Sequence, residues 1–322
     1  MADVFLERRL GETRAAAFGA GRLGAMWIER DGDGLPAGAR VEARLLRRLG
    51  GRGIAETGAG EQLLVEPWPP GATEGMTRLV EIRRAAWREP GRDRLAKARA
   101  VAGDARPAGD LAARLGAAGH RVTEGWPEAL AAAWAEAFEA AELGRWALPS
   151  GALTFTPTPA FTAVDVDGDG PTLAAEALEG LAGAVRLWGL GGSVVIDLAH
   201  VPDRAGRAAL GEAFDRAMGD LPFERTAING FGLMQLVRPR TGPSILERAR
   251  LERDASAAIE LLAEARRASR PGDLRLVARP EVARWIAARP HLVAALARQT
   301  GRRVDMVADA GAGEGHVETV AP

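Results

Sequence analysis

The residues best suited to chemistry in this sequence are aspartates at the ends of apolar runs. Ala163-Val-Asp165-Val-Asp167 and Val195-Ile-Asp197 each read as a short strand finishing on a carboxylate. One helical stretch separates them, so the two strands can lie side by side with their C-terminal ends on one sheet edge. Carboxylates gathered there suit a hard cation such as Mg²⁺, which takes oxygen ligands and keeps several waters. Such an ion polarises a phosphate and lowers the pKa of a bound water. Aspartates in these positions also serve as caps of turns and helices. The run Asp165-x-Asp167-x-Asp169-Gly170, followed at the right spacing by Glu176, also fits an EF-hand calcium loop. An EF-hand loop follows a helix. Here the preceding Phe155–Val164 run is extended and broken by prolines, and Pro171 follows the glycine. His200 stands three residues past Asp197, near the expected metal edge.

The elements that must position these groups are legible in outline. Residues 1–37 read as short strands around glycine-rich turns. Residues 38–89 contain Val41–Leu45, Gln62–Glu66 and Arg78–Arg83 as short strands between Gly and Pro, the spacing of a small closed barrel. Residues 90–147 read as a linker with helical pieces followed by an amphipathic helix, Trp126 to Trp146. Residues 148–246 give the order β-β-α-β-α-β, with helices over Leu173–Trp188 and Asp203–Met218, as in a layered α+β domain. Residues 247–322 supply the rest of a long Arg/Glu helix spanning 245–268 and a small α+β unit with a helix over Glu281–Arg298.

Composition limits the alternatives. Cysteine is absent, which excludes disulfides, thiolate zinc sites and a cysteine nucleophile. The four histidines, at 120, 200, 291 and 316, are too few and too scattered for a Cys/His cluster, and His120, His291 and His316 read as surface or packing residues. Lys97 is the only lysine, and the formal net charge of −1 gives no overall attraction for a polyanion. A nucleic-acid grip must therefore come from a local arginine-lined face. No run approaches the roughly 18 apolar residues of a membrane span. The N-terminus has no apolar run after a basic start, so no signal peptide is expected and a cytoplasmic location is the default.

At the aspartates the sequence resembles the ribonuclease E/G family. Leu148-Pro-Ser-Gly151 with Thr156–Val166 is similar to the start of that family's DNase I-like catalytic subdomain. Leu190-Gly-Gly-Ser-Val-Val-Ile-Asp197 resembles its second catalytic strand. Phe231-Gly-Leu-Met-Gln-Leu-Val-Arg238-Pro-Arg240, ending in Pro243-Ser244, resembles the block that closes the subdomain. Looser likeness links 1–37 to the family's RNase H-like part, 38–89 to its OB-fold RNA-binding barrel, 90–147 to a shortened 5′-sensor region, and 247–322 to its small C-terminal domain. The resemblance implies a metal-dependent endoribonuclease acting on single-stranded RNA and leaving 5′-phosphate ends. It implies Asp165 and Asp197 as Mg²⁺ ligands, with Asp167 where the family has asparagine. Asp167 then either adds a ligand or repels the substrate. Arg238 and Arg240 match basic positions near the site and would hold phosphates.

The departures point the other way. The barrel has Gly53-Ile-Ala-Glu-Thr-Gly58 and Leu63-Leu64 where stacking aromatics are expected, leaving Trp68 and Trp87 as the candidates. The tryptophans at 134, 146 and 188 read as core. Thr226-Ala-Ile-Asn-Gly230 replaces basic residues, and Glu247–Arg267 stands where the family has its zinc-link cysteines, so any oligomer forms without that link. The rival expectation is an RNA-binding protein of the same fold with weakened catalysis.

Overall fold

Short apolar runs punctuated by glycine turns fold as strands through the first hundred residues. The computed structural model of the chain describes residues 3–89, 91–198 and 203–321. The first three strands are β1 (Asp3–Arg9), β2 (Glu12–Gly19) and β3 (Arg22–Arg30). Then follow β4 (Arg40–Leu49), β5 (Arg52–Thr57), β6 (Gln62–Val65), β7 (Thr77–Arg84), β8 (Trp87–Glu89), β9 (Arg92–Arg94) and β10 (Ala96–Ala100). Five of these close a barrel in the order β10-β6-β5-β4-β7. Its interior packs Ala43, Leu45, Ala55, Leu63, Val65, Val80, Ile82, Ala96 and Ala98, all buried, together with Trp68. The barrel thus extends past residue 89. The stretch after residue 90, expected to be a linker with helical pieces, supplies the closing strand. Its Ala96-Lys-Ala98 alternation satisfies the strand period, and by pairing with both β6 and β7 it removes the two edges the barrel would otherwise have.

The chain continues through α1 (Leu111–Ala117), β11 (Arg121–Glu124) and α2 (Glu128–Leu143). Strand β11 pairs in parallel with β1, giving the four-stranded order β11-β1-β2-β3, and Leu111 and Leu115 of α1 pack with Val4, Leu6, Ala15 and Ala17. The expected Trp126–Trp146 helix forms over α2, with Pro127 at its N-cap and Gly144 left-handed at its C-cap.

A six-stranded sheet follows, built from β12 (Arg145–Leu148), β13 (Gly151–Pro157), β14 (Thr162–Gly168), α3 (Leu173–Leu187), β15 (Gly192–Asp197), α4 (Arg204–Met218), β16 (Glu224–Arg225) and β17 (Leu233–Arg238). The strand order is β12-β13-β14-β15-β17-β16, with β14 and β15 parallel. Phe155, Val164, Val166, Val194, Ile196, Met234 and Leu236 point to one face and are buried. Helix α3, buried along Leu178, Leu181 and Val185, packs on β12 and β13 and carries α4 against it.

The Arg/Glu helix expected over 245–268 is broken into α5 (Ile245–Leu251) and α6 (Arg253–Arg267) at Glu252, whose φ of −120° and ψ of 36° are not helical. The last elements are β18 (Asp273–Ala278), α7 (Pro280–Ala287), α8 (Pro290–Thr300), β19 (Val304–Ala308) and β20 (His316–Val320). Proline at the first position of α8 splits the single helix expected over 281–298, because its ring bars the preceding residue from helical geometry. The sheet order here is β19-β18-β20.

The chain divides into two units. One holds the residues up to Leu6, Ala15–Trp27 and Gly32–Leu251; the other holds Glu7–Arg14, Ile28–Asp31 and the residues from Glu252 on. Within the second unit Arg30 is buried and ties three groups together. Its guanidinium donates to Glu12 at 3.0 Å, Glu252 at 2.9 Å and the Ser256 hydroxyl at 2.8 Å. No helix is long and apolar enough to cross a membrane among the described residues.

Candidate active site on the open sheet face

One face of the six-stranded sheet carries the helices; the other is open. Side chains alternate along a strand, so burying Val164 and Val166 sends Asp165 and Asp167 to the open face. The same alternation around Ile196 exposes Asp197. Because β14 and β15 run parallel in the register Val164 to Ile196, Asp165 stands directly beside Asp197. Neighbouring strands lie about 4.8 Å apart, so two adjacent carboxylates share one spot on the open face. Asp167 lies one pleat further along, and its Oδ2 accepts the Thr154 hydroxyl at 3.4 Å.

Local chemistry fixes this edge. Glu176, on the first turn of α3, accepts the Ser150 amide at 2.8 Å, the Ser150 hydroxyl at 2.9 Å and the Thr172 hydroxyl at 2.8 Å. The Thr172 hydroxyl, and then the Ser150 groups, hold the Glu176 carboxyl below the usual carboxylate range. Gly151 is needed here: a Cβ would lie 2.0 Å from the Asp167 carbonyl oxygen. Gly168, at φ +148°, meets the Ser150 carbonyl in the same way. Glu176 is thus occupied with the β12–β13 turn, and Asp165 and Asp167 lie on a strand, which leaves no EF-hand loop.

On the other side of Asp197 stands β17, with Leu233 as its register partner. The turn before Leu233 is shaped by Asn229, whose Oδ1 accepts the amides of Phe231 at 2.9 Å and Leu233 at 3.1 Å. Phe231 projects from that turn with 87 % of its surface exposed. The sequence reading gave this phenylalanine no role of its own. An aromatic between two glycines, Gly230-Phe-Gly232, was the available signal, because flanking glycines leave a side chain without close neighbours.

The other candidates lie elsewhere. Since β15 and β17 are antiparallel, Arg238 pairs with Gly192, about 17 Å along the sheet from Asp197 at about 3.4 Å per residue. Its guanidinium donates to the carbonyls of Leu190 at 2.6 Å and Pro222 at 3.3 Å. Burial, and then the charge of Arg186, push its pKa down. Arg240 pairs with Glu247 and donates to the Gly191 carbonyl at 2.8 Å. Both arginines therefore stand at the opposite sheet edge, not beside the aspartates as expected. Trp68 is only 6 % exposed; its ring fills the barrel against Gly53 and its indole N–H reaches the Ala72 carbonyl at 3.0 Å. It offers no face to a base. Trp87 is half-buried beneath Arg84 and Arg240. Trp134 and Trp188 are core, whereas Trp146 is only partly buried, lying across Gly180 and Gly183 of α3. His200 lies outside the described residues.

Chemically, Asp165 and Asp197 form an all-oxygen pair open to solvent. Mg²⁺ is commonly held by one or two carboxylates, with water and substrate phosphate completing its shell. The pair fits that requirement. Among the described residues no larger group of three or more His, Asp or Glu converges as a metal-ligand set. No protein-family model matches the sequence, and comparison with curated proteins finds no match.

Proposed function

We propose that the chain is a metal-dependent endoribonuclease of the ribonuclease E/G type, hydrolysing phosphodiester bonds in single-stranded RNA to leave 5′-phosphate ends. The observation that carries this reading is the register pairing of Asp165 with Asp197 on an open sheet face. In this reading the six-stranded sheet is the DNase I-like catalytic subdomain. The five-stranded barrel is the OB-fold, the N-terminal sheet is the RNase H-like remnant, and the setting is cytoplasmic RNA processing or decay.

Asp165 and Asp197 would hold Mg²⁺. When bound, the ion supplies positive charge that polarises a phosphate and acidifies a water. The chain's own contribution is preorganisation: two neighbouring strands fix both carboxylates through ladder hydrogen bonds, so neither has to be gathered during reaction. Asp167, steadied by Thr154, offers an acceptor for a water proton one pleat away. Phe231 presents a ring on which the base next to the reacting phosphate can stack.

The test is cleavage of an A/U-rich single-stranded RNA by wild type and Asp197→Asn, with Mg²⁺ and with EDTA. Metal-dependent cutting that the variant loses by a factor of about 10² or more is the expected result. Wild-type protein that binds RNA without cutting it would support the second reading, a catalytically weakened RNA-binding protein. That reading is favoured by the burial of Trp68 and by the engagement of Arg238 with the Leu190 and Pro222 carbonyls.

A further inference from the structure

Where the barrel's last strands meet the β8–β9 hairpin, cations outnumber the protein groups able to satisfy them. Arg84 ends β7 directly opposite Lys97 of β10. Like charges facing each other across antiparallel strands repel. Lys97 is relieved by Glu66 at 2.8 Å. Arg84 has no carboxylate partner among the described residues. Its Nη2 donates to the Leu95 carbonyl at 3.2 Å, and its buried Nε has no hydrogen-bond partner. A guanidinium has five N–H donors, so most of this one's capacity is unspent.

A second arginine lies over the Trp87 ring, and a third stands across the strand from it. The Arg84 guanidinium lies 3.9 Å from the centroid of Trp87 and that of Arg240 lies 5.0 Å from it. Arg94 is the cross-strand partner of Trp87. Arg92 and Arg94 share the single carboxylate of Glu89, and Arg240 takes Glu247. Five cations (Arg84, Arg92, Arg94, Lys97 and Arg240) thus face three carboxylates (Glu66, Glu89 and Glu247). Burial, and then the charges of Arg240 and Arg94, push Arg84 down to about 10. It stays protonated at neutral pH in surroundings that disfavour its charge.

A cluster of this kind costs stability unless an anion joins it. Phosphate suits it best, because its oxygens accept the forked donors of several guanidinium groups at once. We propose that Arg84, Arg94 and Arg240, gathered around Trp87, bind a backbone phosphate of a polynucleotide chain. The phosphate follows from the cluster itself; that it belongs to a polynucleotide rests on the nuclease reading above. The indole ring contributes a flat platform that holds the two guanidinium groups in place.

The test measures binding of a fluorescein-labelled oligouridylate of about twelve nucleotides in EDTA, a length within the usual single-strand site size. Salt is varied between about 50 and 200 mM, and wild type is compared with Arg84→Gln and Arg84→Lys. Loss of one phosphate contact in Arg84→Gln makes the slope of log affinity against log salt shallower by about 0.7. Affinity falls about tenfold at low salt, and Arg84→Lys restores the slope. Arg84→Gln is expected to melt no lower than wild type, since the repulsion at Lys97 and Arg240 is relieved. A residue that only held the fold together would lower the melting temperature instead. Unchanged affinity and slope in folded Arg84→Gln overturn the proposal. So does stabilisation of wild type by inorganic phosphate without Arg84-dependent oligonucleotide binding. If Arg84→Gln does not fold, Arg94→Gln is judged by the same readouts. Absence of RNA cleavage with Arg84-dependent binding intact removes the nuclease reading and leaves this one standing.

Discussion

Asp165 and Asp197 owe their proximity to a one-residue choice of register. A slip of a single position would turn one of them into the helix-covered face, where Val164 and Ile196 now sit. Phe231 is the other residue the proposed site draws on: a ring so exposed buries little, so its removal should not cost the fold. Phe231→Ala is expected to raise the KM for RNA cleavage by about 10-fold, within the range of about 1–3 kcal/mol for stacking one base. The melting temperature and the cleavage of a substrate with an abasic linker at that position should stay unchanged. Equal losses on the normal and abasic substrates would show that the ring does not stack a base.

At the scale of elements, the α3–β13 corner carries a pH signature. Glu176 has its pKa lowered in the folded chain by Thr172 and Ser150, so its contribution to stability is present above the ordinary carboxylate pKa. That contribution is lost as pH falls through the lowered folded value. Glu176→Gln is therefore expected to be less stable than wild type at neutral pH. The gap in melting temperature should close as pH drops below about 4.3, the unperturbed glutamate value. A gap that persists undiminished in acid would mean that shape, not charge, holds the corner. The barrel shows a different constraint: Gly53 admits the Trp68 ring where a Cβ would lie 2.1 Å from it. That is why an aromatic in the right stretch of sequence became core rather than a stacking surface.

For the whole molecule, the proposed site makes a metal ion a ligand and not a structural element. Both aspartates sit on strands held by backbone pairing, and the cores of the sheet and barrel are apolar. With Mg²⁺ at ten times its Kd, linkage adds about 1.4 kcal/mol. Chelation should lower the melting temperature by no more than that amount implies. Unfolding in EDTA would instead make the ion part of the fold. The net charge of −1 adds a second expectation, that RNA binding depends on local clusters of arginine and not on long-range attraction.

The sequence by itself determined the local elements. The alternation that makes β14 and β15 and the helices expected over Leu173–Trp188 and Asp203–Met218, which form as α3 and α4, could be read from side-chain period. It also identified the two aspartates, because a carboxylate ending an apolar strand is visible without a fold. What the tertiary structure decided was pairing. Antiparallel register carried Arg238 to the far edge, barrel closure recruited Ala96–Ala100 from an apparent linker, and Gly53 let Trp68 inside. The cation cluster at Trp87 joins residues far apart in the chain, Arg84 and Arg240. Period and spacing are local quantities; which strand lies beside which is set by the burial that only the assembled chain achieves.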